Sequence, residues 1–257
     1  MGMNFHDEKN KHSYVTRQAD DTWLRVVKTL IQDRAITKAV DIGTGGGIYA
    51  KALADIDIPS ITGIDFSRAM VNAARQNCSS YKQIKFQLGN AYCTGLPDGY
   101  TDFVLERALI HHLDDLTSCF SEAHRILKQD GMLLVQDRTP EDCLLKGDCH
   151  HIRGYLFTLF PHLAEIETKR RYASPIVKTE LKKAGFRSIK EMKLWEIRET
   201  YTNKKLLLND IKSRNGRSIL HDLSDQQVLL FADHVNQSIQ DGPIIEKDPW
   251  TIWLATK

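Results

Sequence analysis

Val40-Asp41-Ile42-Gly43-Thr44-Gly45-Gly46-Gly47-Ile48-Tyr49-Ala50 decides the fold. A short apolar run (Ala39, Val40, Ile42) breaks into a glycine cluster, and an amphipathic helical pattern begins at once. That order reads as a buried strand, a tight turn and the N-terminus of a helix. Gly43 and Gly45, without a Cβ, allow the chain to turn sharply and let a ligand lie against bare backbone. Gly47 would let the following helix pack close to the strand. The N–H groups at that helix start favour a polar or anionic ligand group.

The spacing separates two ligands. A dinucleotide fingerprint requires G-x-G-x-x-G/A, and here Ile48 stands at the last position. The string instead runs D-x-G-x-G-x-G, with Asp41 leading and Thr44 between the first two glycines. Four further segments follow in order. Ser60 to Asp65 reads as a second strand ending in an acid, and such a carboxylate can accept both ribose hydroxyls of a nucleoside. Phe66 offers an aromatic face next to it, with Met70 one helical turn on. Lys85 to Ala91 is a strand ending at the amide of Asn90. Thr101 to Leu113 carries Glu106, Arg107, His111 and His112, and Ile126 to Val135 reads as helix, turn and strand.

Taken together, these five segments resemble the class I S-adenosylmethionine (AdoMet)-dependent methyltransferases of small molecules, closely over residues 38–138 and loosely outside them. The resemblance implies an α/β, doubly wound, mostly parallel seven-stranded sheet, the Rossmann-like methyltransferase fold, with an antiparallel last strand. It implies AdoMet as cofactor, held by Asp41, Gly43, Thr44, Gly45, Asp65, Phe66, Met70, Asn90, Ala91, Glu106 and Arg107. In the family an Asp or Asn at the position of Asn90 recognises the adenine amino group. Glu106 and Arg107 would lie at the cofactor's methionine end, where contact is often through backbone. Tyr14 and Arg17 match an N-terminal segment that folds over the cofactor in many relatives of this kind.

Composition is compatible with that reading. The chain has 257 residues, 42% hydrophobic and 26% charged, with a formal net charge of +2, too mild for a nucleic-acid-binding chain. Five cysteines with no C-x-x-C pair indicate neither a disulfide framework nor a zinc knuckle, and no metal site is expected. The polar N-terminus does not read as a signal peptide, and no run of about 18 apolar residues exists, so a cytoplasmic protein with no membrane partner is expected.

The rest of the chain supplies helices and a lid. Alternating βα units argue a parallel sheet with helices on both faces and ligands at the carboxyl ends of the strands. The chain reads as one methyltransferase domain: an N-terminal lid segment and first helix (1–36), an AdoMet-binding core (37–138), a helical region over the active site (139–186) and an inserted helical cap (200–246). A helix is expected over Leu113 to Leu127 and a final strand over Trp250 to Thr256. The segment after the core contributes Arg138, His151, Arg153 and Tyr155 as candidates to touch substrate.

Chemistry is less sharply written. His111 and His112 are candidates for a general base, since imidazole titrates near neutrality, but pocket lining or helix capping competes with that role. There is no N/D-P-P-Y/F string of amino-group methylation and no Pro-Cys nucleophile. A small-molecule acceptor, on oxygen, nitrogen or carbon, is therefore expected, with no nucleic acid, in a monomer or homodimer. Two other readings stand beside it: a non-catalytic AdoMet-binding or scaffold protein, and a nicotinamide-dependent oxidoreductase.

Overall fold

The computed structural model describes residues 18–215 and 217–257. The chain folds into two compact units. One comprises residues 18–137 with Tyr172–Leu194 and Thr251–Lys257; the other comprises Arg138–Arg171 and Trp195–Trp250.

In the first unit, helix α1 (Asp21–Ile31) starts where Asp20 turns its carboxylate back onto the N–H groups of Thr22 and Trp23. It buries Trp23, Val27 and Ile31 at helical spacing. Strand β1 (Lys38–Ile42), helix α2 (Ile48–Asp55), β2 (Ser60–Asp65), α3 (Arg68–Asn77), β3 (Ile84–Leu88) and β4 (Thr101–Arg107) follow. After a 3-10 turn at Ile110–His112 come α4 (Leu116–Ile126) and β5 (Leu127–Asp137). The expected helix from Leu113 starts three positions late, because Asp115 withdraws its side chain to cap Ser118 N–H.

Seven strands form one sheet in the order β3-β2-β1-β4-β5-β7-β6, where β6 is Arg187–Tyr201 and β7 is Ile244–Thr256. β1 pairs in parallel with β2 and β4, β2 with β3, and β4 with β5; β7 runs antiparallel to β5, with Val135 opposite Trp253. Alternate strand residues feed two cores. Ala39, Ile61, Phe103, Leu105 and Leu134 join Trp23 and Leu53 on one face. Val40, Ile64, Val104, Leu133 and Trp253 join Phe120, Ile126 and Leu181 on the other. Burial on both faces is why these strands read as continuous apolar runs.

The second unit is mainly helical: α5 (Pro140–Cys143), α6 (Gly154–Leu159), α7 (Pro161–Lys169), α9 (Lys204–Lys212) and α10 (Asp225–Ser238), with α8 (Ser174–Lys183) belonging to the first unit. Pro161 separates α6 from α7, since proline opens α7 and cannot continue α6. Ser224 and Gln227 close a reciprocal capping box at the start of α10. Leu156, Leu163, Leu207, Ile211, Phe231 and Val235 form this unit's core. The inserted segment thus folds together with residues 138–171.

β7 begins at Ile244, six residues before the expected start. Its first half alternates buried and exposed as a strand should, but the inward positions after Ile244 are Glu246 and Asp248, which hide the period-two pattern. Among the described residues no helix is long and apolar enough to cross a membrane.

Candidate cofactor site and active site

The site assembles at the carboxyl ends of β1, β2 and β4. The loop after β1 turns through left-handed backbone at Gly43, Gly45 and Gly47, with φ of 75°, 52° and 83°. These three glycines have different surroundings. A Cβ on Gly43 would press on Leu109 at 2.8 Å, and one on Gly47 would meet Cys78 Sγ at 2.7 Å and Phe86 at 3.1 Å. A Cβ on Gly45 would meet nothing within 4 Å, so this stretch of bare backbone faces open space.

Asp65 ties β2 to that loop. Its Oδ2 accepts from Gly45 N–H and its Oδ1 from Ser67 N–H, both at 2.9 Å. Burial raises its pKa, and the two N–H donors oppose the rise. A carboxylate has roughly four lone-pair sites, so acceptor capacity remains for a pair of hydroxyls. Phe66, at 62% exposure, and Leu88, at 50%, follow or face it at the ends of β2 and β3. Both apolar side chains lie at the carboxyl ends of their strands.

Asp41 is buried, and Thr44 donates its hydroxyl to Asp41 Oδ2 at 2.6 Å. Burial pushes the Asp41 carboxyl up to about 7, against the pull of Thr44 and of the Arg107 charge. Arg107 lies over the Tyr49 ring at 3.9 Å, and Trp23 meets Tyr49 edge-on at 4.8 Å. The Trp23 indole N–H donates to Gln136 Oε1 at 2.7 Å.

Other candidate residues have their side chains engaged within the protein. Glu106 is fully buried and accepts from Cys119 Sγ at 3.4 Å, so its side chain turns into the core rather than toward the loop. Burial raises it to about 7. Asn90 spends its amide oxygen on the N–H groups of Tyr92 and Cys93, at 2.8 and 2.9 Å. With both lone pairs used, it can offer a base only its NH2 donors, the reverse of accepting from an amino group. Met70 and Ala91 are buried. Tyr14 and Arg17 lie outside the described residues.

The histidine pair divides into two roles. His111 Nδ1 lies 2.8 and 3.0 Å from the two oxygens of Asp137, which is almost fully buried. A carboxylate there accepts the proton carried on Nδ1 and fixes the orientation of the ring. His112 is exposed, and its ring lies 3.9 Å from that of His111 at a tilt of 47°. Sequence reading passed over Asp137, although it ends an apolar strand as Asp65 does. Tyr49 and Gln136 carried no signal of their own.

The open loop at Gly45 and the carboxylate it touches thus stand together at the carboxyl ends of β1 and β2. Residues 40–135, from β1 to β5, match the model of the methyltransferase domain family. Over that segment the chain is similar to the S-adenosylmethionine-dependent methyltransferases of class I, whose fold the seven-stranded sheet shares. The uncharacterized methyltransferase YcgJ of Bacillus subtilis (strain 168) is 33% identical over 155 residues, 58% of this chain and 56% of that one. A chain from Anabaena variabilis ATCC 29413, described as a methyltransferase of an antibiotic biosynthesis pathway, shares the fold with a TM-score of 0.69 at 20% identity, covering 92% of this chain and 98% of that one. Phosphoethanolamine N-methyltransferase 2 of Haemonchus contortus, solved with S-adenosyl-L-methionine, gives 0.60 at 17% identity over 99% of this chain and 60% of its own. The chain spans about half the length of the curated relatives it matches.

Proposed function

We propose that the protein is an enzyme that transfers the methyl group of AdoMet to a small-molecule acceptor. The observation that carries this reading is the Gly45 loop, left open to a ligand while its N–H is tied to the Asp65 carboxylate. In this reading Asp65 takes the ribose hydroxyls, Phe66 and Leu88 cover the base, and Asn90 donates its amide N–H to a ring nitrogen. The loop backbone of Gly43 to Gly45, with Arg107 nearby, receives the amino-acid end. The mild net charge of +2 supports a small acceptor over a nucleic acid.

When bound, the sulfonium supplies an activated methyl carbon whose bond to sulfur breaks in line with acceptor attack, sulfur keeping the electron pair. The chain contributes position and a base. His111, oriented by Asp137, accepts at Nε2 the proton that the acceptor heteroatom loses, and His112 shields its ring. Asp137 acts through His111 and is a positioning residue.

The test is incubation with methyl-labelled AdoMet and fractionated metabolite pools, following label transfer and S-adenosylhomocysteine release. Acceptor-dependent release is expected. AdoMet binding without release from any pool would favour the scaffold reading, and failure to bind AdoMet at all would overturn both. With an acceptor in hand, His111→Ala lowers kcat by about 10² or more while His112→Ala costs under about tenfold. Equal effects of the two substitutions would remove the base assignment.

A further inference from the structure

Between Asp65 and Asp98 the chain carries no acidic residue, although 33 of its 257 residues are acidic. The same stretch supplies Arg68, Arg75, Lys82 and Lys85. It folds within the first unit as α3, a turn and β3, and β3 is an edge strand of the sheet. Helix, turn and strand thus bring cations to one rim of the core without acids of their own.

An open groove of about 520 Å³ lies where the three segments meet. Arg75 reaches it from the last turn of α3, Lys82 from the turn and Lys85 from β3. Tyr81, Ile84 and Phe86 supply apolar surface beside them. The volume is that of a small-molecule site. No Asp or Glu lines the groove.

The three cations are also unmatched elsewhere. Arg75 donates to two neutral acceptors, Phe86 O at 2.8 Å and Asn72 Oδ1 at 3.4 Å. Lys82 and Lys85 are exposed, and among the described residues neither makes a hydrogen bond or an ion pair. Other cations of the same unit do find carboxylates. Arg125 pairs with Asp98 at 2.6 Å, Lys128 with Asp102 at 2.7 Å and Lys183 with Glu180 at 2.7 Å. Asp55 accepts from the Tyr81 hydroxyl at 2.9 Å but does not line the groove, and Lys51 Nζ lies 5.5 Å from the centre of the Tyr81 ring.

The floor of the groove is firm. Cys78 and Phe86 are both buried, and both press on Gly47. Cys78 Sγ donates to Gly47 O at 3.5 Å, and a Cβ on Gly47 would meet that sulfur at 2.7 Å and the Phe86 ring at 3.1 Å. The Phe86 ring also fills the space over Gly63, where a Cβ would stand 2.5 Å from it. Burial pushes the Cys78 thiol up to about 11, so the floor carries no negative charge at neutral pH. Side chains wedged in this way hold a concave shape before any ligand arrives. The same two side chains close the groove toward Gly47.

We propose that this groove binds a small organic anion bearing two or more negative charges, at a site separate from the glycine loop. Arg75 offers its remaining guanidinium N–H groups to a pair of oxygens, and Lys82 and Lys85 act as point charges. Tyr81 and Ile84 receive the body of the ligand. Binding here does not require methyl transfer.

The test uses the full chain, with pyrophosphate and citrate as probes, sodium chloride at equal ionic strength as control, and a poly-glutamate peptide as a further arm. Calorimetric heat is read for the wild type and for the double variant Lys82→Gln/Lys85→Gln, with and without saturating S-adenosylhomocysteine. Lys182→Gln/Lys183→Gln removes the same charge from α8 and serves as the matched variant. Saturable binding of pyrophosphate, citrate or both is expected in the wild type, unchanged by S-adenosylhomocysteine and by the α8 substitutions. The groove substitutions weaken it about tenfold or more. Both groove lysines are exposed, and circular dichroism confirms that the variant keeps its fold. No saturable response in the wild type, or equal affinity in the groove variant, overturns the site. Displacement of the anion by S-adenosylhomocysteine would put it at the glycine loop and overturn the site as well. Binding confined to poly-glutamate would overturn the small-molecule site in favour of an acidic protein segment. Silence for S-adenosylhomocysteine with the anion response intact would strike the methyl-transfer reading and leave the groove standing.

Discussion

Asp41 and Glu106 sit one strand apart, each buried, and each with its carboxyl raised by burial to about 7. Their ordinary values are near 4, so between about pH 4 and 7 the unfolded chain gives up a proton that the native state keeps. Stability therefore falls as pH rises through that window and levels off above it. Glu106→Gln preserves the shape and removes the charge. It raises stability at pH 8 by on the order of 1–3 kcal/mol and leaves it unchanged below pH 4, as read by urea unfolding at the two pH values. A difference that does not vary with pH would show that Glu106 is charged in the native protein. Asp65 is raised by burial as well, but it accepts from the N–H groups of Gly45 and Ser67. Asp65→Ala weakens S-adenosylhomocysteine binding by roughly 1–3 kcal/mol, and an unchanged dissociation constant would refute the ribose assignment. The polar letters at strand ends were legible, but not the direction in which each side chain turns. Glu106 satisfies Cys119 and Asn90 satisfies its own turn, and nothing in a single sequence distinguishes those internal partners from a ligand.

Among the elements, the glycine loop was the most readable because its conformations leave few alternatives. The structure divides its glycines by what surrounds them, which the letters alone do not. Gly47→Ala places a methyl group 2.7 Å from Cys78 Sγ at a φ of 83°, combining overpacking with backbone strain. It lowers stability by roughly 2–4 kcal/mol in urea unfolding. Gly45→Ala meets no neighbour, so it carries only the backbone cost of about 1–2 kcal/mol, yet it weakens S-adenosylhomocysteine binding about tenfold or more. Matching losses of stability with unchanged binding in both variants would mean that no ligand approaches Gly45. Three helices open on the caps Asp20, Ser67 and Ser224, each beginning where a side chain closes on its own backbone. β7 was legible only in its second half. Trp253 and Ala255 show the alternation, whereas Glu246 and Asp248 are inward residues that hydropathy assigns to the surface.

At the scale of the whole molecule, the core unit follows from its alternating βα order, and the helical unit does not follow from any local pattern. Two segments far apart in sequence, Arg138–Arg171 and Trp195–Trp250, build it. Their apolar faces predict helices but not which helices share a core. Arg217 is central to that unit's polar interior, and Arg217→Ala leaves the two carboxylates Asp210 and Glu246 facing Arg198 without its partner guanidinium. It lowers stability by about 3–5 kcal/mol in urea, a loss that a surface arginine would not produce. The central claim, that the Gly45–Asp65 site takes a nucleoside with a sulfonium tail, is tested most directly by calorimetric titration of S-adenosylhomocysteine and NADH into the wild type and Asp65→Ala. Saturable heat from S-adenosylhomocysteine at one site per chain, weakened by the substitution and absent with NADH, is the predicted result. Binding of NADH with silence for S-adenosylhomocysteine would contradict it.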